Sequence, residues 1–321
     1  MHPLRLTRRK VIVGAVMGAA TIAWQRGGRR ASARAAVPAG AAGTLTIGSD
    51  LVVNRMGFGA MRITGSGIWG EPKAPQEARG VLRRAIELGV NFIDTADAYG
   101  PEVSERLISE VLRPYPKDLI IATKGGLTRP GPSEWVADGT PKHLREACAQ
   151  SLKRLRLERI DLYQLHAIDS KVPLEDSLGE LARLQKEGKI RHIGVSNFKL
   201  DELVRAQRIV PVVSVQNRYN VVDRSSEDVL EYCTRQHIAF IPWAPLARGT
   251  PEARPDKSEG EAFTKIAADH SITDLQLAIA WLLAKSPAML PIPGTSSVAH
   301  LEENVAAAGI ALTPQELAAI G

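Results

Sequence analysis

From residue 44 onward the chain alternates two kinds of pattern. Short runs of β-branched and apolar residues are followed by longer stretches whose apolar side chains recur every three or four positions. The first kind reads as buried strand and the second as amphipathic helix. Thr44–Val53, two alternating runs around Gly48-Ser49-Asp50, predicts a β-hairpin. Strands are then expected at Met56–Ala60, Val90–Asp94, Leu119–Lys124, Ile160–His166, Ile190–Ser196, Val212–Gln216, Ile238–Trp243 and Met289–Pro293. Helices are expected between and after them at Gln76–Leu88, Glu102–Leu112, Lys142–Leu157, Leu174–Glu187, Leu200–Gln207, Ser226–Arg235, Gly260–His270, Thr273–Lys285 and Ala299–Ala308. Thr273 with Gln276, and Thr313 with Pro314 and Glu316, carry helix-start signals, the latter for a terminal helix. Strand–helix units behind one hairpin predict an α/β fold, a (β/α)8 TIM barrel with an N-terminal β-hairpin and extra C-terminal helices. An open doubly wound sheet is the runner-up. It calls for Gly-x-Gly-x-x-Gly after its first strand, and Gly57-Phe58-Gly59-Ala60-Met61-Arg62 does not match.

Charge changes the picture at one end. The net charge of +6 would suit a nucleic-acid or anionic-membrane partner. Yet residues 1–36 hold Arg5, Arg8, Arg9, Lys10, Arg26, Arg29, Arg30 and Arg34 and no acid. The remainder has 33 basic against 35 acidic residues, a net of −2, so no nucleic-acid partner is expected. Arg8-Arg9-Lys10 precedes the uncharged run Val11–Trp24, whose fourteen residues span about 21 Å against about 30 Å for a bilayer core. A small-residue stretch, Ala31-Ser32-Ala33, follows. This is the form of an export signal, and the paired arginines make it similar to a twin-arginine signal. Residues 1–36 are therefore expected to be a signal peptide, 37–43 a linker and 44–321 the barrel. Export would place the protein in the periplasm, or otherwise outside the cytoplasm, by way of the twin-arginine machinery. A start assigned too far upstream would instead leave it cytoplasmic. Cys148 and Cys233 lie far apart without metal spacing and are expected to be buried free thiols.

Barrel active sites form at the C-terminal ends of the strands. Those ends carry Asp94, Lys124, His166, Asn197, Gln216, Trp243 and Thr295. Singly, each has a bland reading as a loop start, a solvated charge or a core histidine. Together they suggest proton chemistry. A buried Asp94–Lys124 pair would keep the lysine charged, and a charged lysine beside Tyr99 lowers the cost of forming its phenolate. Tyr99 could then act as a general acid, with His166 orienting a substrate oxygen. A zinc site at His166, Asp94 and Asp97 lacks ligand spacing, so no metal is expected. No Gly-x-Ser-x-Gly motif marks a nucleophile.

Asp94-Thr95-Ala96 with Tyr99-Gly100, then Ala122-Thr123-Lys124, then His166, resemble in order and spacing the tetrad of the aldo-keto reductases. The resemblance runs from about Thr44 to the C-terminus. It implies NAD(P)H-dependent reduction of a small-molecule carbonyl to an alcohol by a monomer, with Tyr99 as acid, Lys124 and Asp94 as its aids and His166 as orienter. It further implies that Ser196, Asn197 and Gln216 hold the nicotinamide carboxamide and that Trp243 stacks on the ring. Pro242–Arg248, with Pro245 and Leu246, would lie along the pyrophosphate. Gly294, Thr295, Ser296, His300, Glu303 and Asn304 would receive the adenosine phosphate. Many members have Lys at the place of Gly294 and Arg at that of His300, so NADP is expected over NAD on fewer cations than usual. The Gly-Ala-Met-Arg start, Pro114–Leu119 and Pro293–Leu301 are similar to bacterial pyridoxal reductases (pyridoxine 4-dehydrogenases) within the family. Loops 62–75, with Trp69, and 125–141, with Trp135, are expected to face the substrate, which would favour flat or aromatic aldehydes. The alternative is a non-catalytic cofactor-sensing protein on the same barrel.

Overall fold

The computed structural model describes residues 36–246 and 257–321. The leader expected at 1–36 lies outside the described residues but for Ala36, as does the pyrophosphate-side loop beyond Leu246.

Strands β1 (Thr44–Ile47) and β2 (Leu51–Asn54) form the expected antiparallel hairpin, with Ile47 opposite Leu51. Next come β3 (Phe58–Gly59), α1 (Pro75–Glu87), β4 (Phe92–Asp94), α2 (Val103–Leu112) and β5 (Ile120–Gly125). A second small hairpin, β6 (Leu127–Thr128) with β7 (Val136–Ala137), rises from the following loop, where none was expected. The series continues with α3 (Pro141–Leu155), β8 (Ile160–Leu165), α4 (Leu174–Lys186), β9 (Ile190–Ser196), α5 (Leu200–Gln207), β10 (Val212–Arg218), α6 (Glu227–Gln236) and β11 (Ala239–Trp243). It ends with α7 (Lys257–Asp269), α8 (Asp274–Lys285), α9 (Val298–Ala306) and α10 (Pro314–Ile320).

Strands β3, β4, β5, β8, β9, β10 and β11 lie in that order in one parallel sheet, the wall of a (β/α)8 barrel. The eighth wall segment departs from expectation. Met289–Pro293 makes a single bridge at Met289 rather than a strand. Phe240 N–H donates to Ala288 O and Leu290 N–H to Phe240 O, both at 2.9 Å. On the far side Gly57 N–H donates to Pro291 O at 3.0 Å. Pro291 and Pro293 have no N–H to offer, so the ladder cannot lengthen. The expected first strand is likewise cut to two residues, because Ala60–Ile63 turns into a 3-10 helix.

Two starts are capped as the sequence predicts. Gln276 N–H donates to Thr273 Oγ1 and Glu316 N–H to Thr313 Oγ1, each at 3.2 Å, and both side chains return the bond to the cap residue. Within residues 37–43, expected as a linker, one residue is anchored to the barrel. Ala39 is buried in a 3-10 turn, and its N–H donates to Leu88 O at 2.8 Å. Both cysteines are free and buried, and burial raises each thiol to about 12.

The barrel interior follows the period of two of a strand. Phe92, Ile120, Ala122, Leu162, Ala239, Ile241, Leu290 and Ile292 cluster there with Ile47, Leu51 and Val53, so the N-terminal hairpin plugs the lower end. Two residues further along the same strand faces, the apolar set gives way to Asp94 after Phe92, Lys124 after Ala122, Gln164 after Leu162 and Trp243 after Ile241. The upper layer of the core is thus polar, and it forms the floor of the site.

Candidate active site

Lys124 is wholly buried at the end of β5. Its Nζ donates to Asp94 Oδ2 at 2.7 Å, to Thr95 O at 2.9 Å and to Tyr99 Oη at 3.2 Å. All three ammonium donors are therefore directed at named oxygens. Asp94 sits at the end of β4 and accepts two more bonds at Oδ1, from Gln164 Nε2 at 3.1 Å and Gln216 Nε2 at 2.8 Å. Burial opposes the Lys124 charge, but Asp94 and the Tyr99 hydroxyl outweigh it and raise the ammonium pKa. Tyr99 differs from expectation. Burial raises its pKa, Lys124 pulls against the rise and Asp94 adds to it, and the net direction is upward. The phenol is thus held in its acid form, with a cation at its oxygen to ease departure of the proton.

His166 follows β8, and its N–H donates to Gly125 O at 2.9 Å. Burial, then Lys124, then Arg129 push its pKa well below the ordinary value, so the imidazole is neutral near pH 7. Its ring lies edge-to-face with Tyr99 at 5.9 Å and with Trp135 at 6.2 Å, and Trp135 meets Tyr99 at 6.4 Å. Trp135 is 38% exposed, so these three rings form a wall between the buried lysine and solvent. Asp97, two residues before Tyr99, has a buried Oδ1 without a partner among the described residues, and burial with nearby Glu105 raises it to about 8.

The residues expected around a nicotinamide are brought together at the ends of β9, β10 and β11. Asn197 has a positive φ of 63°. Its Nδ2 donates to His166 O at 3.0 Å and to Ser196 Oγ at 3.1 Å, while its Oδ1 accepts from Trp243 Nε1 at 2.9 Å. The Trp243 indole is thereby fixed at the rim, with the Arg218 guanidinium 5.7 Å from its centre. Gln216, expected to hold a carboxamide, also donates from its Nε2 to Asp94 at 2.8 Å, because a carboxyl group that far inside needs partners. Pro245 is buried and Leu246 packs against the core.

The segment at 294–304 is held differently. An added Cβ at Gly294 would stand 2.5 Å from Gly59 O, so the close approach of two backbones excludes the expected lysine there. Thr295 is buried, and its Oγ1 accepts from Ser297 N–H at 3.1 Å. Ser296 and His300 are exposed beside the start of α9. Glu303 accepts from Thr273 Oγ1 at 2.7 Å at the cap of α8. Asn304 is buried in α9.

Gln164 was not singled out from the sequence. Its signal is alternation alone, because it lies between inward-facing Leu162 and His166. Gly194 makes the room, since a Cβ there would meet Ser214 Oγ at 2.2 Å and Gln164 Cγ at 2.9 Å. Arg129 was also missed. It does not end a strand of the barrel wall, and only the folded loop reveals its bonds.

A parallel barrel with a buried lysine–carboxylate–phenol cluster at its mouth defines an oxidoreductase-type site built for proton delivery. The chain belongs to the Aldo/keto reductase family, whose profile matches residues 55–321. It is 54% identical over 289 residues, 90% of this chain and 92% of the relative, to an uncharacterized oxidoreductase of Schizosaccharomyces pombe. It is 39% identical over 283 residues, 86% of this chain and 96% of the relative, to pyridoxine 4-dehydrogenase of Escherichia coli. Among solved structures, an aldo/keto reductase from Klebsiella pneumoniae in complex with NADP and acetate superposes with a TM-score of 0.72 at 26% identity, covering 86% of this chain and 93% of that one. The family implies NAD(P)H-dependent reduction of carbonyl compounds.

Proposed function

We propose that the protein is an NADPH-dependent reductase of planar aromatic or pyridoxal-like aldehydes, with Tyr99 as the general acid. The observation that carries this reading is the three-way bond of Lys124 to Asp94, Thr95 and Tyr99 beneath the Trp135 wall. The residues at the rim fit a flat heterocyclic amide, because the half-exposed Trp243 indole is pinned by Asn197 rather than free to turn. A bound nicotinamide supplies the hydride. The chain's own groups handle the proton. Neutral His166 and Tyr99 orient the carbonyl oxygen, Tyr99 Oη releases its proton to that oxygen, and Lys124 Nζ stabilises the phenolate left behind. Asp94, fixed by Gln164 and Gln216, keeps Lys124 charged and in place. Ser196, Asn197 and Trp243 line the nicotinamide end. Gly294, Thr295, Ser296 and His300 form the adenosine end, where the helix N-terminus and hydroxyls receive the phosphate.

NADPH oxidation by the purified protein against pyridoxal, benzaldehydes, methylglyoxal and sugars tests this reading. Preference for pyridoxal or another aromatic aldehyde is expected. Preference for sugars would sink the substrate assignment, and no turnover with any carbonyl would sink the enzymatic one. We also propose that residues 1–36 act as a twin-arginine export signal on a monomeric enzyme that leaves the cytoplasm folded. Cell fractionation with N-terminal sequencing is expected to find a mature chain outside the cytoplasm starting near residue 37. Recovery of the intact N-terminus in the cytosol would refute export.

A further inference from the structure

Arg129 stands just after β6, half-buried, in the loop that carries Trp135. Four guanidinium bonds run to backbone carbonyls. Nε donates to Glu134 O at 2.7 Å, one terminal nitrogen donates to Ala98 O at 2.9 Å and Ile68 O at 3.0 Å, and the other donates to Gly67 O at 3.1 Å. Those carbonyls belong to three separate segments: the Trp69 loop, the Tyr99 loop and the Trp135 loop. The same guanidinium sits over the Trp135 ring, 3.7 Å from its centre, and 5.6 Å from that of Trp69. No carboxylate pairs with Arg129 among the described residues, and its donors are largely spent on carbonyls. It is therefore built to hold parts of the chain rather than to grip a substrate anion.

We infer that Arg129 is a positioning residue that sets the substrate class. It locks Trp135 beside the Tyr99–His166 pair, and so makes the mouth a slot for a planar aromatic aldehyde or ketone. One face of the indole is capped by the guanidinium, and its edge contacts with Tyr99 and His166 are those described above. A substrate ring entering beside Trp135, towards Tyr99 and His166, would meet a fixed aromatic wall and not a mobile loop. A lysine could not replace this group, for an ammonium lacks both the flat face and the fork that reaches several carbonyls at once. The inference rests on the carbonyl-reductase reading, since it concerns which carbonyls that site accepts.

The test compares benzaldehyde with methylglyoxal in the full chain, using steady-state NADPH oxidation. In Arg129→Met the KM for benzaldehyde is expected to rise by about tenfold, as loss of a half-buried cation–π contact together with the guanidinium bonds allows. The kcat/KM for methylglyoxal is expected to change by less than about threefold, and the Kd for NADPH to hold, because neither uses the slot. Arg129→Lys is expected to fall between. Trp135→Ala should reproduce the benzaldehyde defect, and adding it to Arg129→Met should bring no further loss, because the two act as one unit. Equal losses with both carbonyls, additive losses in the double variant, or no change in Arg129→Met would each overturn the inference while leaving the reductase reading intact. Should Arg129→Met fail to bind NADPH, Trp135→Ala decides alone. A selective benzaldehyde defect supports the slot, and an unselective one removes it. A wild-type chain that oxidises NADPH with neither carbonyl removes both readings.

Discussion

The two ends of the proposed cofactor track are built in opposite ways. At the proton end, Lys124, Asp94, Gln164 and Gln216 are buried and bonded to one another before any ligand arrives. At the adenosine end, Ser296 and His300 face solvent, Gly294 presents bare backbone and Glu303 is engaged in capping a neighbouring helix. The first is preorganised by the core that surrounds it, and its geometry is fixed by the cost of leaving a buried charge unpaired. The second is mostly surface, where an exposed residue such as Ser296 or His300 can change without disturbing the core. Chemistry is therefore rigid in this chain, while cofactor choice is open to adjustment.

The largest effect is expected where the proton moves. Tyr99→Phe should lower kcat by about 10²- to 10⁴-fold with the Kd for NADPH within about threefold, measured by turnover and by fluorescence titration. A comparable loss of NADPH affinity would show that the two ends are not separable. Next comes stability. Asp94→Ala strands the Lys124 ammonium and should cost about 3–5 kcal/mol in urea unfolding, against about 0.5 kcal/mol or less for Ser296→Ala. Similar costs at both positions would erase the contrast.

A smaller effect tests the open end directly. His300→Arg adds a fixed fork on an exposed helix start and should tighten NADPH by about tenfold without altering NADH, as a charge-assisted phosphate contact allows. Gly294→Lys should fail to do the same and should destabilise, because its Cβ meets Gly59 O at 2.5 Å. Tighter NADPH binding in that variant would show that the seam yields more easily than the geometry implies.

A pH-dependent effect concerns Asp97, which lies in the loop of Tyr99 and away from the open end. With its pKa raised to about 8, the folded protein keeps a proton that the unfolded chain releases above about 4. Stability should therefore fall as pH rises from about 4 towards 8, then level off. Asp97→Asn should match the wild-type melting temperature near pH 4 and exceed it above pH 8. Parallel melting curves of the two proteins across that range would show that Asp97 is ionised in the fold.

The strand ends made the tetrad legible, because a polar residue after an apolar run is visible without a structure. Gln164 was legible in principle, by counting two residues back from His166, but a lone amide inside a strand does not announce which carboxylate it serves. The eighth strand misled because Met289–Pro293 is apolar and extended, and only its two prolines warn that it cannot pair. The role of Gln216 and the work of Arg129 could not be read at all. Both depend on which oxygen lies opposite, and those oxygens come from segments far away in the chain.

The proline-bearing segment has a consequence for how the barrel comes apart. Between β11 and β3 the wall is stitched by two bonds on one flank and one on the other, where the other seams pair strand to strand. Deuterium should invade the wall there first, at the amides of Gly57, Phe240 and Leu290, before the central strands exchange. Gly294 lies just past that seam. Loosening of the weakest joint in the wall would thus be felt first by whatever rests on the outer end of the track, while the proton-handling centre, anchored on β4, β5 and β8, stays shut.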